Sequence, residues 1–293
     1  MAQYFIQLLK FRLSITVVFS AIVGYLLGFD KFNIEHFIYL TIGGFFVTGS
    51  ANAFNQILEI KQDGLMNRTS VRPLPKGHLN ISTAFVFALT LGLLGLFLLN
   101  KINPQGTFYG LMSKSSFFGL ISIFLYVLSY TPLKRVSTIS IFVGAIPGAI
   151  PFLLGYVAAT DDFGLAAGIL FAIQFLWQFP HFIAIAWVLD EEYKNAGFKM
   201  LFGGKKNKYP AVIAVFTSSL MTLVSLVAYF HIDSLSLSIY SFVIVLFLGT
   251  WFTLKSVNLY QKTNDIAARK LMLASFLYLP LVQVVYVLDR FLR

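Results

Sequence analysis

The stretch 52–77, NAFNQILEIKQDGLMNRTSVRPLPKG, sets Glu59, Asp63, Arg68 and Arg72 directly against the end of a long apolar run. Charged groups at the edge of hydrocarbon are costly to keep there, so a cluster of them reads as a functional site.

The composition supplies the hydrocarbon. Of 293 residues, 58% are hydrophobic, 17% aromatic and only 12% charged, with a mean hydropathy of +0.79, which is too apolar for a soluble domain of this length. The chain reads as an all-α, polytopic membrane protein. It has no cysteine, which excludes disulfides, thiolate metal sites and cysteine nucleophiles. The net charge of +10 does not point to nucleic acid. Its basic residues are spread over short loops between apolar runs, where membrane topology accounts for them.

A helix needs about 20 apolar residues to cross a bilayer core. Nine runs meet or approach that length, near 13–29, 37–57, 81–100, 115–133, 138–160, 164–189, 210–230, 235–255 and 270–288, within one domain spanning 1–293. The first is expected to remain as a span, because no small-residue cleavage site follows it. An odd number of spans puts the termini on opposite faces. The face carrying the N-terminus and the loops after even-numbered spans then holds 17 of the 22 Lys and Arg, which makes it cytoplasmic. The 52–77 cluster lies on that face.

Three segments there carry the polar residues suited to chemistry. In the first, Asn55, Glu59 and Asp63 recur at i, i+4 and i+8, so a helix continuing through them gathers an amide and two carboxylates on one stripe. Such hard oxygen ligands suit Mg²⁺, which takes few protein carboxylates and completes its shell with water and phosphate. Arg68 and Arg72 add forked donors for the same phosphate oxygens, on a loop that the prolines of RTSVRPLP are expected to hold extended. Interfacial ion pairs with Lys61, Arg68 or Arg72 are the plainer alternative.

The second segment, Tyr130-Thr-Pro-Leu-Lys134-Arg135, offers two cations for a departing diphosphate, or simply two topology markers. The third runs from Trp177-Gln-Phe-Pro-His181-Phe to Asp190-Glu191-Glu192-Tyr193. His181, inside an apolar run, needs a hydrogen-bond partner or a ligand. The acids are placed to meet a metal or an arginine of the first loop, or to cap a helix. The 196–209 loop, AGFKMLFGGKKNKY, reads as the most flexible.

The first segment resembles the signature of the UbiA superfamily of intramembrane prenyltransferases, Asn-Asp-x-x-Asp-x-x-x-Asp followed by Arg-Thr-x-x-Arg-Pro. Asn55, Asp63, Arg68, Thr69, Arg72 and Pro73 fall in register, while Gln56 and Glu59 depart from it. Asn-Gln-x-x-Glu-x-x-x-Asp-x-x-Met-x-Arg-Thr, completed here by Met66, is similar to the variant of the haem O synthase branch. So are Tyr130-Thr-Pro-Leu-Lys-Arg135, the Gly- and Pro-rich helix over 144–155, and Trp-x-x-Pro-His-Phe leading to Tyr-x-x-Ala-Gly-x-x-Met.

This resemblance implies a nine-helix UbiA-type bundle that transfers farnesyl from farnesyl diphosphate to a vinyl group of haem B. It implies Mg²⁺ on Glu59 and Asp63 with Asp190 or Glu192, catalysis by Asn55, Glu59, Asp63 and Lys134, and diphosphate binding by Arg68, Arg72, Lys134 and Arg135. Tyr130, His181 and Tyr193 fall to the haem side. A bacterial inner membrane is the implied location, and haem A synthase and the haem-copper oxidases the implied pathway. The superfamily's second motif, Asp-x-x-x-Asp, is not reproduced, so Asp190 and Glu192 both stay open. A UbiA-type enzyme acting on an aromatic acid or quinone precursor is the nearest rival, and a small-solute transporter the rival from another class. Charges gathered at one membrane face disfavour the transporter.

Overall fold

The computed structural model describes residues 1–105, 107–108, 110–232 and 235–293. A short helix α1 (Ala2–Leu9) ends at Lys10, whose left-handed backbone, φ 47°, turns the chain into α2 (Phe11–Gly28). Then come α3 (Ile34–Leu58), α4 (Ile60–Leu65), α5 (Ile81–Asn100) and α6 (Lys114–Phe124). A π-helical stretch Leu125–Tyr130 extends α6 into the single turn α7 (Thr131–Leu133). The second half holds α8 (Ile139–Thr160), α9 (Leu165–Val188), α10 (Asp190–Asn195), α11 (Lys208–Leu226), α12 (Ile239–Lys262) and α13 (Asp265–Leu292).

Among the described residues nine helical stretches are long and apolar enough to span a membrane, and each overlaps one of the nine runs read from sequence. Their ends follow capping rather than hydropathy. Asn264 and Ser238 accept backbone N–H bonds from Ala267 and Ser241, so α13 starts at Asp265 and α12 at Ile239, against the expected 270 and 235. A two-residue ribbon pairs Thr107–Phe108 with Met112–Ser113, and an isolated bridge pairs Ile232 with Leu235. The amphipathic α1 is too short to register as a span, and its Leu8 packs with Leu74, Leu79 and Ala84 at the membrane edge.

The centre of the bundle is α8. Buried residues make up 78% of its apolar window, against 22% for α5 at the periphery. Helix α2 approaches α8 most closely where Gly24 and Gly155 meet. A Cβ on Gly155 would overlap the Ala21 carbonyl, and one on Gly24 the Phe152 carbonyl, so only glycine permits that crossing. Around this pair α3 packs on α5, α6 and α9 on α8, α11 on α9 and α12, and α13 on α9, α12 and α2.

Two spans end alike. After α3, Glu59 breaks the helix at φ −106°, ψ 14°, and the six-residue α4 follows; after α9, Leu189 does so at φ −102°, ψ 18°, and the six-residue α10 follows. Both short helices carry acids, Asp63 on α4 and Asp190, Glu191 and Glu192 on α10.

Candidate active site

Asn55 sits in the last turn of α3, Glu59 at the break and Asp63 in α4. The expected uninterrupted helix is therefore broken at Glu59, yet the Glu59 N–H still bonds Asn55 O at 3.0 Å and the Asp63 N–H bonds Glu59 O at 2.7 Å. That ladder preserves the common face. All three residues are buried, Asp63 to 1% exposure and Glu59 to 3%. Buried carboxylates need compensation. Glu59 has it in a short ion pair with Lys134 Nζ, and Asp63 Oδ2 in a 2.6 Å bond from Arg72.

The RTSVRPLP segment is not extended. Ser70 N–H bonds Met66 O, Arg72 N–H bonds Thr69 O, Lys76 N–H bonds Arg72 O and His78 N–H bonds Pro73 O. Pro73 keeps its carbonyl as a turn acceptor, and Gly77 at φ +69° reverses the chain. Thr69 Oγ1 donates to Asp63 O at 2.8 Å, which folds the loop back and lets Arg72 reach the carboxylate.

Lys134 follows α7. Its ammonium lies 4.9 Å from the Tyr130 ring centre and 5.0 Å from that of Phe198. Burial lowers its pKa, and the neighbouring Glu59 opposes the shift. Phe198 belongs to the loop read as flexible. Instead Phe198, Met200 and Leu201 are buried, and Lys199 N–H bonds Lys134 O at 2.6 Å, because the apolar residues alternating through that loop find a surface to cover. Arg135 is exposed and donates to Leu58 O at 3.3 Å. Arg68 is also exposed.

The sequence reading counted Lys10 only as a topology marker. Its left-handed turn carries Nζ to Asn55 Oδ1 at 2.9 Å, and the Asn55 amide donates on to Thr131 Oγ1 at 3.2 Å. Burial, then repulsion from Arg72 and Lys134, pushes its pKa down to about 7. Gln56 holds this turn in place: its amide donates to Leu8 O at 2.9 Å, a carbonyl that α1 leaves open, and to Gln7 O at 3.3 Å, which also accepts the Lys10 N–H. The Asn52 amide donates to Leu9 O at 3.2 Å, which Ser14 Oγ also bonds at 2.7 Å. The i, i+4 spacing of Asn52 and Gln56, two amides inside an apolar helix, was the available signal.

From α10, Tyr193 lies within electrostatic reach of Arg68, Glu59, Glu192 and Arg72, and burial raises its phenol. Glu192 Oε2 is buried without a hydrogen-bond partner. Asp190 pairs with Lys194 at 2.7 Å and lines a cavity of about 350 Å³ with Ser137, Lys199 and Met200. Glu191 is exposed. His181 lies away from these groups, on α9 against α13, stacked 4.5 Å from Trp177 with Nδ1 2.8 Å from Ser275 Oγ.

Among the described residues no three His, Cys, Asp or Glu converge as a ready-made metal cluster. Asp63 Oδ1 is nevertheless buried without a hydrogen-bond partner, as is Glu192 Oε2. Open carboxylate oxygens at one polar membrane edge fit Mg²⁺, which draws its other ligands from water and phosphate.

A model of the UbiA prenyltransferase family matches residues 17–279. A protohaem IX farnesyltransferase of Flavobacterium psychrophilum is 48% identical over 293 residues, covering 99% of this chain and 95% of that protein. A solved structure of digeranylgeranylglyceryl phosphate synthase superposes with a TM-score of 0.82 at 22% identity, covering 100% of this chain and 99% of the other. A UbiA homologue from Archaeoglobus fulgidus bound to DMAPP and Mg²⁺ does so with a TM-score of 0.70 at 15% identity, covering 96% and 98%. These two likenesses establish a shared bundle.

Proposed function

The chain belongs to the UbiA prenyltransferase family, and on that premise we propose that it transfers farnesyl from farnesyl diphosphate to a vinyl group of haem B, giving haem O and diphosphate. The carrying observation is the buried set of Glu59 and Asp63 facing Lys134 and Arg72 at one end of the bundle. The likeness along nearly its whole length to a protohaem IX farnesyltransferase supports haem as acceptor.

In this reading the allylic C–O bond breaks and its electron pair leaves with the diphosphate. The haem vinyl group supplies the pair for the new C–C bond, and water adds to the resulting cation and releases a proton. Lys134, Arg72, Arg68 and Arg135 receive the growing charge on the leaving group. Asn55, held between Lys10 and Thr131, orients that group. Glu59 and Asp63, with Glu192 or Asp190 of α10, would hold Mg²⁺, which when bound neutralises the diphosphate. The Mg²⁺ and DMAPP of the Archaeoglobus neighbour favour this assignment.

Tyr130 and Tyr193 are assigned to the acceptor side, next to Lys134 and Glu192. His181 is assigned to haem on tautomer grounds. Ser275 Oγ donates to Met272 O at 2.6 Å, so it accepts from His181 Nδ1–H. Nε2 then keeps its lone pair, the form that ligates iron. The membrane is a bacterial inner membrane, with the N-terminus and the polar cleft cytoplasmic, the C-terminus opposite, and haem A synthase or haem-copper oxidases downstream. Diphosphate release by purified protein tests the reading: it should require farnesyl diphosphate, haem B and Mg²⁺ together, and release without haem B would refute the acceptor.

A further inference from the structure

A second polar feature lies outside the cleft but on the same membrane face. The Trp187 indole at the end of α9 bonds Asp265 at the start of α13, which brings the α12–α13 junction level with α10. Between α12 and α13 opens a cavity of about 410 Å³, lined by Trp251, Leu254, Lys255, Asn258, Gln261 and Lys270.

Its chemistry is that of a basic, amide-bearing notch at the hydrocarbon edge. Lys255 lies seven residues inside the end of α12 and Lys270 five inside the start of α13, or about 10 and 8 Å along the helices. Helices of 24 and 28 residues exceed the hydrocarbon core by a turn or more. Both ammonium groups therefore sit where lipid phosphates begin. Among the described residues neither has a carboxylate in ion-pair reach. Asp265, the nearby acid, is taken by Lys206 at 2.9 Å and Trp187 at 3.1 Å. Lys255 lies 5.8 Å from the Trp251 ring centre, and Trp is at home at this depth. The exposed Leu254 and Leu273 continue the surface toward the acyl region.

Two unpaired lysines inside membrane-spanning helices call for an anion from outside the protein. We propose that this cavity binds the phosphate headgroup of an anionic phospholipid, with Lys255 and Lys270 neutralising the phosphate and Asn258 and Gln261 donating hydrogen bonds to it. The lipid bridges α12 and α13 beside their two-residue connection, Thr263 and Asn264.

Native mass spectrometry of the full-length protein, released from vesicles of equal phosphatidylglycerol and phosphatidylcholine, tests this. Phosphatidylglycerol should be retained preferentially, and inorganic phosphate should not displace it. Lys255→Gln with Lys270→Gln should weaken retention about thirtyfold, as expected for two basic contacts to a headgroup. Lys255→Arg with Lys270→Arg, and Lys61→Gln on the exposed part of α4, should leave retention unchanged. Equal retention of both lipids, full retention by the double Gln variant, or displacement by inorganic phosphate would each overturn the proposal. If the double Gln variant does not fold, the lipid preference and phosphate competition of the unaltered protein decide.

Discussion

Replacing Lys134 by Met separates the structural from the chemical role of the Glu59–Lys134 pair. The two groups are 3% and 8% exposed, so the substitution leaves a buried carboxylate without its cation. Breaking one side of a buried pair costs about 3–5 kcal/mol, whereas replacing both sides by neutral groups is often close to neutral. Lys134→Met alone should therefore melt well below the parent protein in detergent, and Glu59→Gln combined with Lys134→Met should regain most of that loss. Turnover should behave differently. In the proposed reaction both groups face the departing diphosphate, and removal of one preorganised donor lowers turnover about 10²–10³-fold, so the double variant should be at least as inactive as the single. Melting curves and haem product, measured on the same preparations, give the two readouts. A double variant that regains turnover along with stability would show the pair to be a packing device and would refute its place in the chemistry.

Asp63→Asn should keep the fold, because Thr69 bonds the Asp63 backbone carbonyl rather than the carboxylate, while turnover falls about 10²-fold or more; unchanged turnover removes Asp63 from the metal set. Gln56→Ala should cost about 1–3 kcal/mol by orphaning the Leu8 carbonyl at the end of α1, seen as faster hydrogen exchange in residues 2–10 with exchange in α8 unchanged. Lys10 sits near pKa 7 in the ligand-free protein. It is charged below that pH and neutral above, so metal-free diphosphate binding should weaken as pH rises through about 7, and Lys10→Gln should flatten the profile. His181→Phe should abolish any imidazole–iron signature in the haem absorption spectrum, and an unchanged spectrum discards His181 as a ligand.

The bundle was legible because a bilayer imposes one length and one polarity on every span, and nine runs met both conditions. Helix ends were less so, since a backbone can stay helical past the hydrocarbon until a cap such as Asn264 stops it. At the candidate site, Glu59 and Asp63 announced themselves as charges against an apolar run. Lys10 did not, because its approach to Asn55 depends on a left-handed turn and on Gln56 pinning α1, neither of which has a periodic signature. The prolines of RTSVRPLP misled in another way: they forbid helix, but they do not choose between an extended loop and a chain of turns, and the Thr69 bond to Asp63 makes that choice.

The most direct measurement is the mass of the haem recovered after the purified protein, in lipid vesicles, is incubated with haem B, farnesyl diphosphate and Mg²⁺. The haem should gain one farnesyl group and one hydroxyl group, with Asp63→Asn giving none. Unaltered haem from the parent protein, with farnesyl appearing instead on an added aromatic acid or quinone precursor, would contradict the account.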